Sequence, residues 1–114
     1  MGYHSLLHKK LSDKVFVFTA ETTPPDASDK DVLLKKIMPL KGVADAINVT
    51  DSPGANVHMS SLTAAIILAQ NDIDPILQFT VRDRNRLALQ GDLVGASALG
   101  VHNILCLSGD DPKK

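Results

Sequence analysis

Four short apolar runs rich in β-branched and aromatic residues recur along the chain at intervals of about 30 residues, the length of one strand–helix–strand unit. They occupy residues 15–20, 46–50, 76–81 and 103–107. Near-continuous apolarity marks strands covered on both faces, and strands of that kind are characteristic of parallel sheets. Parallel neighbours need a crossover of a dozen or more residues, usually a right-handed one through a helix. The chain therefore reads β-α-β-α-β-α-β, and its 114 residues suffice for one ordinary domain but not two. Two architectures accept that order: a doubly wound open sheet, or the first half of a (β/α)8 barrel.

The segments between the runs carry helix signals. Residues 4–11 set Leu6, Leu7 and Leu11 apart from Lys9 and Lys10, a pattern of about two turns expected to cover one end of the first strand. The next helix is expected to be capped by Ser28, with Asp29 and Asp31 at the positive end of its dipole. Val32, Leu33, Ile37 and Leu40 form its apolar face, and Pro39 and Gly42 close it. A third begins at Ser60 or Ser61 and runs through Ala69. Asp83 is expected to cap the last, which carries Leu87, Leu89, Leu93, Val94, Ala96 and Ala98 at helical spacing and stops at Gly100.

Alternation along the strands favours the barrel. Counting back by twos from Glu21 gives Thr19, Val17 and Val15; from Thr50, Asn48 and Ala46; from Thr80, Gln78 and Ile76; from Asp110, Ser108, Cys106 and Ile104. On each strand this face turns from apolar to polar toward the C-terminal end, the profile of a barrel interior with a site at its top. No Gly-x-Gly-x-x-Gly or P-loop follows any strand, so the phosphate cradle of a nucleotide-binding sheet is missing.

Glu21, Asn48, Thr50, Gln78, Thr80 and Asp110 would then converge on one mouth. Glu21 follows an apolar strand directly, where burial would disfavour its charged form, and a double proline (Pro24, Pro25) ends regular structure just after it. Two carboxylates in different surroundings can separate in pKa, one acting as an acid while the other stays ionised. The plainer reading makes Glu21 and Asp110 loop-edge acids that cap the next turn. Cys106 reads as a small core residue on a buried strand, His58 and His102 as loop residues without a paired acid, and Arg82, Arg84 and Arg86 as a solvated helix start.

Composition removes several classes. A formal net charge of −1 and no aromatics among the arginines argue against a nucleic-acid binder. One cysteine leaves no disulfide framework, and four scattered histidines show no metal-ligand spacing, so no metal is expected. The longest apolar run, residues 62–69, is too short to span a bilayer, and residues 1–14 are too polar for a secretory h-region. A soluble cytoplasmic protein without membrane contact is the expectation.

Taken together, the strand ends resemble a known family. Ala20-Glu21-Thr22-Thr23-Pro24-Pro25, then residues 45–51, then Gln78-Phe79-Thr80-Val81-Arg82-Asp83-Arg84-Asn85-Arg86 with residues 89–93, and last Leu107-Ser108-Gly109-Asp110-Asp111-Pro112 are similar, in order, to methylenetetrahydrofolate reductase. The resemblance implies an FAD-containing (β/α)8 barrel that reduces 5,10-methylenetetrahydrofolate to 5-methyltetrahydrofolate, using reduced nicotinamide or a partner electron carrier. It places Glu21 as the general acid that opens the folate ring to a 5-iminium ion, and Asp110 as the carboxylate near flavin and pterin that stabilises this cation. Thr50, Thr80, Gln78, Ser108 and Gly109 fall at flavin contacts, with Glu21, Gln78 and Asp110 also facing folate. Gln78 stands where some members have histidine, and Ser108 where some have arginine.

The family's barrel continues for a further four strands. Residues 1–114 are therefore expected to form the N-terminal half of such a barrel, inactive and weak in FAD binding by itself, and to self-associate or pair with the other half through its open inner face and sheet edges. Two other classes fit the same pattern: a pterin-binding methyltransferase barrel fragment, and a non-catalytic α/β interaction module.

Overall fold

The computed structural model describes residues 2–112, so Met1, Lys113 and Lys114 fall outside it. Its elements run α1 (Leu6–Ser12), β1 (Thr19–Thr22), α2 (Lys30–Ile37), β2 (Ala46–Val49), α3 (Ser61–Gln70), β3 (Pro75–Thr80), α4 (Arg86–Ala98) and β4 (Asn103–Leu107), with 3-10 turns at Met38–Leu40 and Pro53–Ala55. Every strand pair is parallel, and the sheet order β1-β2-β3-β4 follows the chain. A doubly wound sheet reverses its strand order at a switch point, so the sequential order selects the half-barrel. No helix among the described residues is long and apolar enough to cross a membrane.

The strand register sorts the side chains. Ala20, Ile47 and Pro75 align across the sheet, as do Thr22, Val49 and Leu77, and this face meets the helices. Leu33 and Ile37 of α2 and Ala64, Ala65 and Leu68 of α3 join Ile47, Val49, Leu77 and Phe79 in the buried core. Each large aliphatic side chain there contributes about 1.5–3 kcal/mol relative to exposure. The other face carries Thr19, Glu21, Asn48, Ile76 and Gln78, half-buried or exposed. That face is the wall of a barrel interior.

Several expectations need correction. The first strand starts at Thr19 rather than residue 15. Asp45, just before β2, takes the Phe18 N–H on its carboxylate at 2.9 Å and donates its own N–H to the Phe18 carbonyl at 2.8 Å, so the ladder begins only afterwards. Upstream, Val15 and Phe16 are exposed, Phe16 to 78%, and its ring meets Phe18 edge to face at 5.0 Å. Apolarity signalled a strand buried on both faces, but among the described residues Val15, Phe16 and Phe18 find too little cover and stay half or more exposed. β3 also begins one residue early, at Pro75.

The short first helix is present, but it does not seal β1. Ser5 caps it by accepting from the His8 N–H, and the same hydroxyl donates to Asn103 at 2.7 Å, while the Leu7 N–H donates to Asp74 at 2.9 Å. Lys10 pairs with Asp45. The helix thus ties down the N-terminal ends of β2, β3 and β4. Two caps also differ: Asp29, not Ser28, accepts from the Asp31 N–H, and Asn85, not Asp83, accepts from the Ala88 N–H. Asp83 instead occupies a left-handed conformation, φ 64°, and pairs with Arg82. Gly100 ends α4 as expected, at φ 89°.

The last unit packs least. On α4 only Ala96 is buried and Leu89 partly so, while Leu87 and Val94 are about three-quarters exposed. Every residue of β4 beyond Asn103 is exposed. Cys106 is therefore not a core residue; it lies on an uncovered edge strand with an exposed thiol.

Candidate functional site

In a parallel sheet all C-terminal strand ends meet at one rim. Pairing of Glu21 with Asn48, and of Asn48 with Ile76 two residues before Gln78, sets these polar side chains on the same face near that rim. Thr50 and Thr80 follow on their strands by the same alternation. Beyond the rim lies a depression of about 220 Å³ lined by Glu21, Thr50, Asp51, Pro53, Gln78, Thr80, Leu107, Gly109 and Asp110. Six of the eight residues singled out in the sequence, Glu21, Thr50, Gln78, Thr80, Gly109 and Asp110, thus share one concavity, and Asn48 stands behind it as the acceptor of the Gln78 amide.

Ser108 does not line it. Gln78 pairs with Leu105 and Thr80 with Leu107, so the inner face of β4 is Asn103, Leu105 and Leu107, while Ile104 and Cys106 align with Leu77 and Phe79 on the helix side. Counting back from Asp110 inverted this strand, because the chain turns at Gly109, φ 94°, and alternation does not pass through a left-handed residue. Asp110 reaches the mouth through that turn.

The two carboxylates sit differently from one another. Glu21 is exposed rather than buried, and among the described residues its carboxylate has no hydrogen-bond or ion-pair partner. It is open to a bound molecule. Asp110 accepts the Gly54 N–H at 2.6 Å, a bond that joins the loop after β4 to the loop after β2. Thr50 donates to the Thr23 hydroxyl at 3.2 Å, and the Gln78 amide donates to Asn48 at 3.4 Å. The arrangement offers an unpaired acid on one side, a backbone-bonded acid on the other, and amide and hydroxyl groups between them.

A second layer was missed. Asp51 is buried, and its carboxylate accepts the Thr80 N–H at 2.9 Å, the Thr80 hydroxyl at 3.1 Å and Arg84 Nη1 at 2.7 Å. Burial acts to raise this carboxyl, but the Arg84 guanidinium and the Thr80 donors outweigh it and hold the group below the usual carboxylate range. Arg84 also donates to the Thr80 carbonyl at 2.8 Å, lies 4.5 Å from the Phe79 ring centre, and reaches Asp92 of α4 at 3.5 Å. Arg82 donates to the carbonyls of Asp110 at 3.1 Å and Ser52 at 3.3 Å. Arg82 and Arg84 are therefore not a solvated helix start but ties between strand ends. A usable signal was present: arginines two and four residues after Thr80, with an acid directly after Thr50 at the neighbouring strand end.

The histidines stand apart from this site. His4, His8 and His102 line a cavity of about 590 Å³ at the opposite end of the sheet, and His58 lines one of about 490 Å³ beside α3. No group of three or more His, Cys, Asp or Glu among the described residues is placed to hold a metal ion.

Direct comparison with curated proteins gives no match. The family model of methylenetetrahydrofolate reductase matches residues 6–114, nearly the whole chain, and the protein belongs to that family.

Proposed function

We propose that the chain supplies the acid-bearing half of a flavin-dependent reductase site, converting 5,10-methylenetetrahydrofolate to 5-methyltetrahydrofolate. The observation that carries this reading is the gathering of Glu21, Thr50, Gln78, Thr80, Gly109 and Asp110 at one strand-end depression of a chain in this family. A reductase-type role on folate follows from the family; the cofactor and the residue roles are our inference.

The donor set suits FAD. The isoalloxazine edge alternates acceptors with an N–H donor, and the Gln78 amide, which both donates and accepts, with the Thr50 hydroxyl as a further acceptor, presents both kinds of group at the depression. At about 220 Å³ the depression falls below the usual 300–1,000 Å³ of a ligand pocket, in keeping with one ring system held from one side. When bound, FAD supplies the hydride that turns the methylene carbon into a methyl group. Glu21 protonates the folate nitrogen whose loss of the methylene bond opens the five-membered ring, and its freedom from internal partners leaves it available for this task. Asp110, fixed by the Gly54 N–H, places negative charge where the 5-iminium cation develops.

The test joins the chain to a polypeptide bearing the other four βα units of a family member and follows oxidation of 5-methyltetrahydrofolate with an artificial quinone acceptor. Glu21→Gln should retain flavin and lose folate turnover by 10²-fold or more, on the order expected for removal of a general acid. Retained turnover would assign the acid role elsewhere. Methyl transfer from folate without flavin would instead favour the methyltransferase reading.

A further inference from the structure

Asp110 occupies its position through a contact between two loops, and both loops depart from regular backbone. In the loop after β2, Ser52, Gly54 and Ala55 all have positive φ, at 46°, 66° and 58°. For Ser52 and Ala55 this is a conformation that L side chains disfavour, so something must hold the loop in place. In the loop after β4, Gly109 is at φ 94°. The loops touch through the Gly54 N–H and the Asp110 carboxylate at 2.6 Å.

One guanidinium grips both sides of that contact. Arg82 Nη2 donates to the Ser52 carbonyl at 3.3 Å, Nη1 donates to the Asp110 carbonyl at 3.1 Å, and Nε pairs with Asp83 at 2.9 Å, fixing the plane of the fork. Its side chain is only 13% exposed. Gly109 makes the space: a Cβ there would lie 2.9 Å from Arg82 Nη1 and 3.0 Å from Arg82 Cβ. The absence of a side chain at Gly109 thus leaves room for the arginine, with Thr80 Cβ at 3.3 Å behind it, besides permitting the left-handed turn.

We propose that Arg82 is the positioning residue for Asp110, clamping the β2 and β4 loops so that the Gly54 N–H and the Asp110 carboxylate stay in register, with Gly109 as the gap that admits it. This deepens the reductase reading and rests on it for the role of Asp110, while the clamp itself is a matter of geometry. The planar fork is what allows one side chain to bond two carbonyls from different loops.

The experiment is NMR on the full chain labelled with 13C and 15N. In the wild type, Arg82 guanidinium nitrogens should show couplings across hydrogen bonds to the Ser52 and Asp110 carbonyl carbons, and the Gly54 amide nitrogen should show one to the Asp110 side-chain carboxyl carbon. In Arg82→Gln and in Gly109→Ala the Gly54–Asp110 coupling should be lost, while methyl signals of Ile47 and Leu77 stay in place. Should either variant fail to fold, the wild-type couplings decide, and their absence overturns the clamp. A Gly54–Asp110 coupling that survives in a folded Arg82→Gln protein also overturns it. In the assembled reductase, Arg82→Gln should lower kcat about tenfold with KM for folate changed less than about threefold; an unchanged kcat would make the clamp structural and refute the positioning role. Wild-type chain that shows the couplings but, once joined to the other four βα units and loaded with FAD, gives no folate turnover would refute the reductase reading and leave the clamp standing.

Discussion

Replacing Arg84 by Met removes the cation that Asp51 was folded around. The Asp51 side chain is 4% exposed and that of Arg84 16%, so the pair is largely out of water. Breaking a buried pair from one side usually costs 3–5 kcal/mol, since the remaining charge is left without compensation. Asp51 keeps the Thr80 N–H and hydroxyl, which places the expected loss at the low end, about 3 kcal/mol. For a domain of this size that corresponds to a fall in Tm of about 12 °C. Asp51→Asn keeps one acceptor for Thr80 and should cost about 2 kcal/mol. The double variant should lose less than the two together, with a coupling of about 2 kcal/mol. Urea unfolding of the four proteins at pH 7 measures this, provided the m-values agree. The Asp51 carboxyl is held below its ordinary range, so its contribution is complete above the unfolded value near 3.9 and disappears as pH falls through the folded value. The gap between wild type and Asp51→Asn should accordingly close in acid. Additive losses, or a gap that widens on acidification, would refute the account of Arg84 and Asp51 as a coupled pair.

Two further outcomes follow from exposure and shape. Cys106 should react with a thiol reagent in the native chain at close to the rate of the denatured chain; a need for denaturant would show that β4 is covered. FAD mixed with the 114-residue chain alone should be lost on desalting, because a depression of about 220 Å³ would hold a ring system from one side only; a stoichiometric flavin spectrum after gel filtration would contradict this.

Much of the architecture was legible because βα repetition leaves a coarse mark. The 30-residue spacing located β2, β3 and β4, and polar residues at the ends of apolar runs located Glu21, Thr50, Gln78, Thr80 and Asp110. What failed did so for identifiable reasons. Val15, Phe16 and Phe18 look like core by type, but burial depends on a covering surface that the residues themselves do not encode. The face of β4 was inverted because alternation was carried through Gly109. Arg82 and Arg84 looked solvated because a charge run at a helix start usually is; only the three-dimensional approach of Asp51, Ser52 and Asp110 gives those guanidiniums their partners.

The uneven packing of the sheet has a dynamic consequence. With Ile47, Leu77 and Leu68 enclosed at the centre and β4–α4 nearly bare, amide exchange should separate the chain into a slow interior and a fast margin, the margin opening without the rest. Asp110 hangs from the fast margin, whereas Thr50 and Thr80 belong to the slow interior. Arg82 therefore couples a rigid wall of the mouth to a breathing one, and stiffening β4, by whatever comes to lie against it, would sharpen the position of one carboxylate while leaving the opposite wall unchanged.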